Sequence, residues 1–175
     1  MNSLHRCIFL PVVNLSGEFK KFRNRYDILS KKCPPHITIV FPFHSLKTND
    51  QIVKAISSIC KNLNSLTLKL GGPIKNEDFI VLPVISNQKW IITIHEKLSK
   101  KCGLQPSTHY QPHITIGRKV TKLNNSELAK LSKNSSVNIQ SLVFEEIQAD
   151  ESSKVLLEKW FTNKILPSKM NKSKT

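Results

Sequence analysis

The sequence predicts an α+β fold in which short, mainly antiparallel strands are interleaved with helices. Three observations carry that expectation. The apolar residues recur with a period of two in some segments and of three to four in others, which are the periods of strand and helix. Several neighbouring strand segments are joined by connections too short for a parallel crossover. The pentapeptide Pro-His-Ile-Thr-Ile stands at residues 35–39 and again at 112–116, so the chain carries an internal repeat.

Taken in order, residues 7–13 have the β-branched and aromatic character of a buried first strand. Ser16 then stands at a helix N-cap position. Phe19, Phe22, Tyr26 and Leu29 follow on one helical face, with Lys20, Lys21, Arg23 and Arg25 elsewhere around it, and Pro34 and Pro35 close the segment. Residues 36–43 read as the strand that carries the first repeat. Thr48 and Gln51 form a capping-box signature ahead of Ile52, Ala55, Ile56, Ile59, Cys60 and Leu63 at helical spacing. Leu66, Leu68 and Leu70 alternate with polar residues as a half-buried strand, which Gly71, Gly72 and Pro73 terminate. Residues 79–85 suit another strand. Asn87 can cap a helix that turns Trp90, Ile91, Ile94 and Leu98 to the core and stops at Gly103. The second repeat strand covers 113–118, a short helix 126–132, and two closing strands 137–147 and 155–161.

The chain has 175 residues, enough for one domain or two small lobes sharing an interface, with 39% apolar residues to build a core. Lys and Arg number 27 against 12 Asp and Glu, a formal charge of +15 that attracts phosphate-rich partners. Four of those lysines fall in the segment 163–175, whose Pro, Ser and Asn content predicts a frayed basic tail behind a domain at 1–162. Cysteines 7, 33, 60 and 102 lie far apart without a Cys-x-x-Cys pair, so neither a zinc site nor a disulfide framework is expected. No apolar run approaches the length of a membrane span. With no signal sequence expected either, the reading is a soluble cytoplasmic protein and a monomer.

Within a strand, His36 and Thr38 point one way while Ile37 and Ile39 point the other, and His113 and Thr115 are likewise separated from Ile114 and Ile116. Each repeat thus offers isoleucines to a core and an imidazole with a hydroxyl to the opposite face. Two histidines on one substrate can divide general acid and general base work near neutral pH. A phosphodiester with an adjacent hydroxyl, or its 2′,3′-cyclic phosphate, suits such a pair. The threonine hydroxyls would then bond the non-bridging oxygens, without metal or other cofactor.

The residues His36-Ile37-Thr38-Ile39 and His113-Ile114-Thr115-Ile116, with flanks Pro34-Pro35 and Tyr110-Gln111-Pro112, resemble the paired His-x-Thr motifs of the 2H phosphoesterase superfamily, which includes the 2′-5′ RNA ligase (LigT-like) proteins. That resemblance implies a bilobal fold of two mainly antiparallel sheets with flanking helices around a central cleft. It implies metal-independent phosphodiesterase chemistry on 2′,3′-cyclic phosphate ends or 2′-5′ linkages of RNA or oligonucleotides. His36 and His113 become the acid and base, in an order left open, and Thr38 and Thr115 the phosphate ligands.

Two further residues are site candidates. Arg118 could hold phosphate charge, but alternation puts it on the isoleucine face unless the strand bulges at Gly117. Tyr110, in a polar loop before the second repeat, is a candidate for stacking on a base. Phe41 and Trp90 are expected in the core, and the basic run from Lys20 to Lys32 could track an RNA backbone. Cys33 lacks any visible partner for thiol chemistry. Two rival readings stay open: an RNA-binding protein that recognises ends without turnover, and a phosphodiesterase of a non-RNA cyclic nucleotide or ADP-ribose derivative.

Overall fold

The computed structural model describes residues 5–120, 123, 125–132, 134–148 and 152–162; the basic tail at 163–175 lies outside them. The described elements run β1 (His5–Pro11), α1 (Gly17–Tyr26), β2 (His36–Phe43), α2 (Asn49–Cys60), β3 (Leu66–Leu70), β4 (Ile74–Asn76), β5 (Phe79–Pro83), α3 (Gln88–Lys101), β6 (His113–Arg118), α4 (Asn125–Ala129), β7 (Ser135–Ile139), β8 (Ser141–Ile147) and β9 (Ser153–Trp160). Seven strands form one sheet in the order β4-β5-β6-β2-β1-β8-β9, and β3 with β7 forms a second. The pairings between these strands are antiparallel. Mixed α and β elements with two antiparallel sheets are what the sequence leads one to expect. No helix among the described residues is long and apolar enough to cross a membrane.

The large sheet has one face packed on the main core. Ile37 and Ile39 of β2, Ile80 and Leu82 of β5, and Ile114 and Ile116 of β6 are all fully buried there. Phe19 of α1, Ile52 and Ile56 of α2, and Ile91 and Leu98 of α3 belong to the same cluster. Each such aliphatic side chain stabilises the fold by about 2 kcal/mol when withdrawn from water. The isoleucines of the two repeats therefore anchor both strands by the face opposite their histidines.

Local chemistry explains most boundaries. Thr48 and Gln51 form the expected reciprocal capping box at α2. The first helix ends at Tyr26 rather than continuing to Leu29, because the Asp27 carboxylate accepts the Leu29 N–H at 3.0 Å and draws the chain out of the helix. Asn87 precedes α3 in a left-handed conformation (φ 54°) and donates its amide to Thr67 O at 3.3 Å, so it does not cap as the sequence suggests. The run 137–147 divides at Gln140 into β7 and β8, one in each sheet. Strand β4 has no clear signal in the sequence; it forms a tight hairpin with β5 through Glu77 (φ 51°) and Asp78, without the Asn-Gly pair usual at such a turn. Phe41, expected in the core, is 66% exposed: a register shift in the β1–β2 pairing puts both Ile39 and Val40 inward and turns the next side chain out.

Candidate active site

The two repeat strands pair directly, with Ile37 opposite Ile114. Extending that antiparallel register by one residue each way sets His36 opposite Thr115 and Thr38 opposite His113. Opposed residues share a face, so the two imidazoles and two hydroxyls form a checkerboard on the side away from the isoleucines. The histidines are diagonal neighbours, and residues so placed are about 7–8 Å apart, their β-carbons somewhat less. That spacing leaves room for a phosphoryl group between the rings. All four polar side chains are partly exposed, between fully buried neighbours at 37, 39, 114 and 116.

Each imidazole is held the same way. His36 Nδ1 lies 2.8 Å from Pro34 O, and His113 Nδ1 lies 2.8 Å from Gln111 O, the carbonyl two residues upstream in both cases. A carbonyl only accepts, so Nδ1 carries the proton in both rings, and Nε2 is the nitrogen left for chemistry. The two sites differ in surroundings. His36 packs on the Phe9 ring (centroids 4.8 Å apart, tilted), and burial pushes its pKa from 6.5 to about 4; the guanidinium groups of Arg118 and Arg23 push the same way, opposed by the Pro34 carbonyl and Asp27. A neutral His36 at neutral pH follows.

Arg118 does turn to the face that carries the histidines. The β5–β6 register shifts between Ile80 and Val81, which places Ile116 and Gly117 both toward the core and returns Arg118 to the side of Thr115. Gly117 is suited to this bulge because a β-carbon there would stand 3.0 Å from Val120 Cγ2 and 3.2 Å from Ile80. The Arg118 side chain is fixed by a residue the sequence did not single out: its Nη1 donates to Asp27 Oδ1 at 3.1 Å. Asp27 is fully buried at its side chain and also accepts from Arg23 Nε at 2.9 Å. Arg23 in turn donates to Cys33 O at 2.6 Å, and Cys33 Sγ lies 3.3 Å from His36 Nδ1. A continuous chain of contacts thus links Arg118 to the first histidine. Asp27 could have been noticed in the sequence only as an acid in a basic run.

The structure reassigns several residues. Arg23, part of the basic run proposed to track RNA, is buried and spent on Asp27, while Arg25 pairs with Glu127 at 3.0 Å. Cys33 has a histidine neighbour after all, but burial pushes its thiol up from the ordinary value, away from the thiolate a nucleophile needs. Tyr110, the stacking candidate, has one ring face stacked on His95 (centroids 4.0 Å, interplanar angle 8°), and its hydroxyl donates to Thr38 O at 2.8 Å. It supports the first repeat strand. His95, which stood out in no motif, completes that support: Nδ1–H donates to Ile39 O at 2.7 Å and Nε2 accepts the Ser107 N–H at 3.1 Å. Trp90 packs against the core, edge-on to Phe161, as expected. Among the described residues, no group of three or more His, Cys, Asp or Glu side chains is placed to hold a metal ion.

Two His-x-Thr strands side by side in an antiparallel sheet define a protein of the 2H phosphoesterase type. The chain belongs to the 2′-5′ RNA ligase superfamily, whose family model matches residues 11–150. A protein of Geobacillus thermodenitrificans, provisionally named a phosphoesterase, is 29% identical over 146 residues, covering 79% of this chain and 80% of its own. One from Bacillus licheniformis, named in the same way, is 23% identical over 128 residues, covering 69% and 74%. Among solved structures, the apo form of E. coli LigT superposes with a TM-score of 0.62 at 14% identity, over 91% of this chain and 98% of that one. A Thermus thermophilus protein, TT0787, gives 0.60 at 10% identity, over 91% and 99%. At these identities the structural likeness establishes the fold.

Proposed function

We propose that this protein is a metal-independent phosphodiesterase of 2′,3′-cyclic phosphate ends or 2′-5′ linkages in RNA or oligonucleotides. The observation that carries the reading is the Ile37–Ile114 pairing, which puts two histidines on one sheet face, each with Nδ1 bound to a backbone carbonyl. His36, neutral because its ring is largely desolvated and two guanidinium groups lie near it, is the general base, and His113 is the general acid.

For a cyclic phosphate, His36 Nε2 takes a proton from water as its oxygen bonds to phosphorus. The phosphorus–O3′ bond breaks, His113 Nε2 protonates O3′, and a 2′-phosphate remains. Negative charge grows on the non-bridging oxygens, where the Thr38 and Thr115 hydroxyls donate hydrogen bonds, while Arg118, further along the strand, adds only its field. The proton gained by His36 and lost by His113 returns through solvent before the next cycle. Nucleotides are the natural probes, since E. coli LigT, which shares the fold, has been crystallised with 3′-AMP, with ATP and with phosphate.

The test is hydrolysis of nucleoside 2′,3′-cyclic phosphates and of 2′-5′ oligoadenylate in the presence of EDTA. Turnover should persist, and His36→Ala and His113→Ala should each lose about 10²–10⁴-fold in kcat. Abolition by the chelator, or full activity in both variants, would sink the mechanism. Salt-sensitive RNA binding with no turnover of any of these would favour an end-recognition protein instead.

A further inference from the structure

Beyond the reacting centre, the groove face of the large sheet continues onto β5 and β4, and its character changes there. Val81 stands opposite Thr115, and Phe79 stands opposite Arg118. Ile80 and Leu82, which alternate with them, are fully buried, so Phe79 and Val81 lie on the histidine-bearing face. Phe79 is 44% exposed, and on the next strand Asn76 opposes Phe79 while Ile74, 52% exposed, opposes Val81. An aromatic ring, an amide and an aliphatic ledge therefore adjoin a guanidinium that Asp27 holds in place.

Arg118 is also a wall of a cavity of about 360 Å³, lined further by Arg25, Ile28, Lys31 and Lys119. Its volume lies in the range of small-ligand sites. Arg25 is paired with Glu127, and Asp27, fully buried at its side chain, is shared between Arg23 and Arg118, so the positive charge this cavity offers a ligand comes from Arg118, Lys31 and Lys119. Asp27 occupies only Nη1 of Arg118, and a guanidinium has donors on its other nitrogens too. The cavity lies at the His36 end of the checkerboard, since Arg118 follows Thr115 by three residues and is felt by the His36 imidazole. Strand geometry puts Arg118 about 7–10 Å beyond Thr115 along the groove.

The geometry points to a nucleotide subsite at this end: the Phe79 ring stacks on the base of the nucleotide whose phosphate reacts, and Arg118 with Lys31 and Lys119 binds the next phosphate. The assignment rests on the phosphodiesterase reading above and names its substrate class as an oligonucleotide end with at least one further phosphate. A flat, exposed aromatic face attracts any base, and Asn76 offers an amide to a base edge. Tyr110 is a poorer platform because His95 already covers one side of its ring. A bare cyclic phosphate would use the histidines and threonines and leave this end of the groove empty.

The experiment compares three substrates: glycerol cyclic phosphate, which has no base; adenosine 2′,3′-cyclic phosphate; and the adenylate dinucleotide ending in a 2′,3′-cyclic phosphate. Phe79→Ala should raise KM for both adenosine substrates by ~10-fold at unchanged kcat, leave glycerol cyclic phosphate unaffected, and be rescued by Phe79→Trp. Lys31→Glu combined with Lys119→Glu should raise KM for the dinucleotide alone. Equal effects on all three substrates, or none on any, would overturn the subsite. If the wild-type protein turned over none of them, the phosphodiesterase reading would fail separately. NMR titration with non-hydrolysed 2′-5′ ApA then decides the subsite: shifts at the Phe79 ring, with weaker binding in Phe79→Ala, uphold it, and their absence refutes it.

Discussion

Replacing His36 tests the asymmetry between the two histidines, because its surroundings make a quantitative demand. The ring packs on Phe9 near Arg118 and Arg23, and its pKa falls from 6.5 to about 4. The folded state therefore binds this proton less readily than the unfolded chain. The stability contributed by a neutral His36 is complete above about pH 6.5 and is lost progressively as the pH falls toward 4. Between pH 7.5 and 4.5 the linkage amounts to about 2 kcal/mol once the ring's partial exposure is allowed for. Urea unfolding of the wild type and of His36→Asn at those two pH values isolates this term, since other titrating groups are common to both. The wild type should lose about 2 kcal/mol more than the variant on acidification. The same pKa should set the acid limb of kcat/KM, with activity held well below pH 6 and falling only near pH 4. An NMR titration that puts the His36 imidazole at 6.5 or higher, with equal pH dependence in the two proteins, would refute both the burial argument and the choice of His36 as base.

Other variants probe the frame around the site. Asp27→Asn removes the charge shared by Arg23 and Arg118 and leaves the buried Arg23 uncompensated, so it should cost about 3–5 kcal/mol in urea unfolding and raise substrate KM as Arg118 loosens; a loss below about 1 kcal/mol would show that the carboxylate is dispensable. Tyr110→Phe keeps the stack on His95 but loses the bond to Thr38 O, and should cost about 1 kcal/mol by the same measurement with little change in kcat. A larger effect on kcat than on stability would instead put the hydroxyl in the chemistry.

The Asp27 network illustrates why the two histidines have different surroundings despite an identical pentapeptide in both halves. His36 follows a segment in which Arg23, Asp27 and Cys33 are tied together. His113 follows a loop whose Tyr110 and Ser107 are tied to His95. The repeat thus sets two equivalent imidazole geometries, while the segments before it set different electrostatics. General acid and base roles call for such a difference, because one ring must begin neutral and the other charged.

Much of this was legible in the sequence, for physical reasons that are local. Alternation along a strand is fixed by backbone geometry, so the pentapeptide alone separates His36 and Thr38 from Ile37 and Ile39, and the α2 capping box is satisfied by residues three apart. Arg118 marks the boundary: the sequence states the condition, a bulge at Gly117, but only the β5–β6 register shows that it is met. Phe41 shows the converse, since strict alternation sends it inward and a register shift against β1 sends it out. The pairing of β2 with β6, the Asp27 clamp on Arg118, the His95 support of Tyr110 and the Phe79 ledge all join residues far apart in the chain. Such contacts depend on which strands become neighbours, a choice made by burial of the whole sheet rather than by any short segment. The sequence determined which face of each repeat strand carries the imidazole and the hydroxyl, and the tertiary structure decided that the two strands pair and what surrounds them.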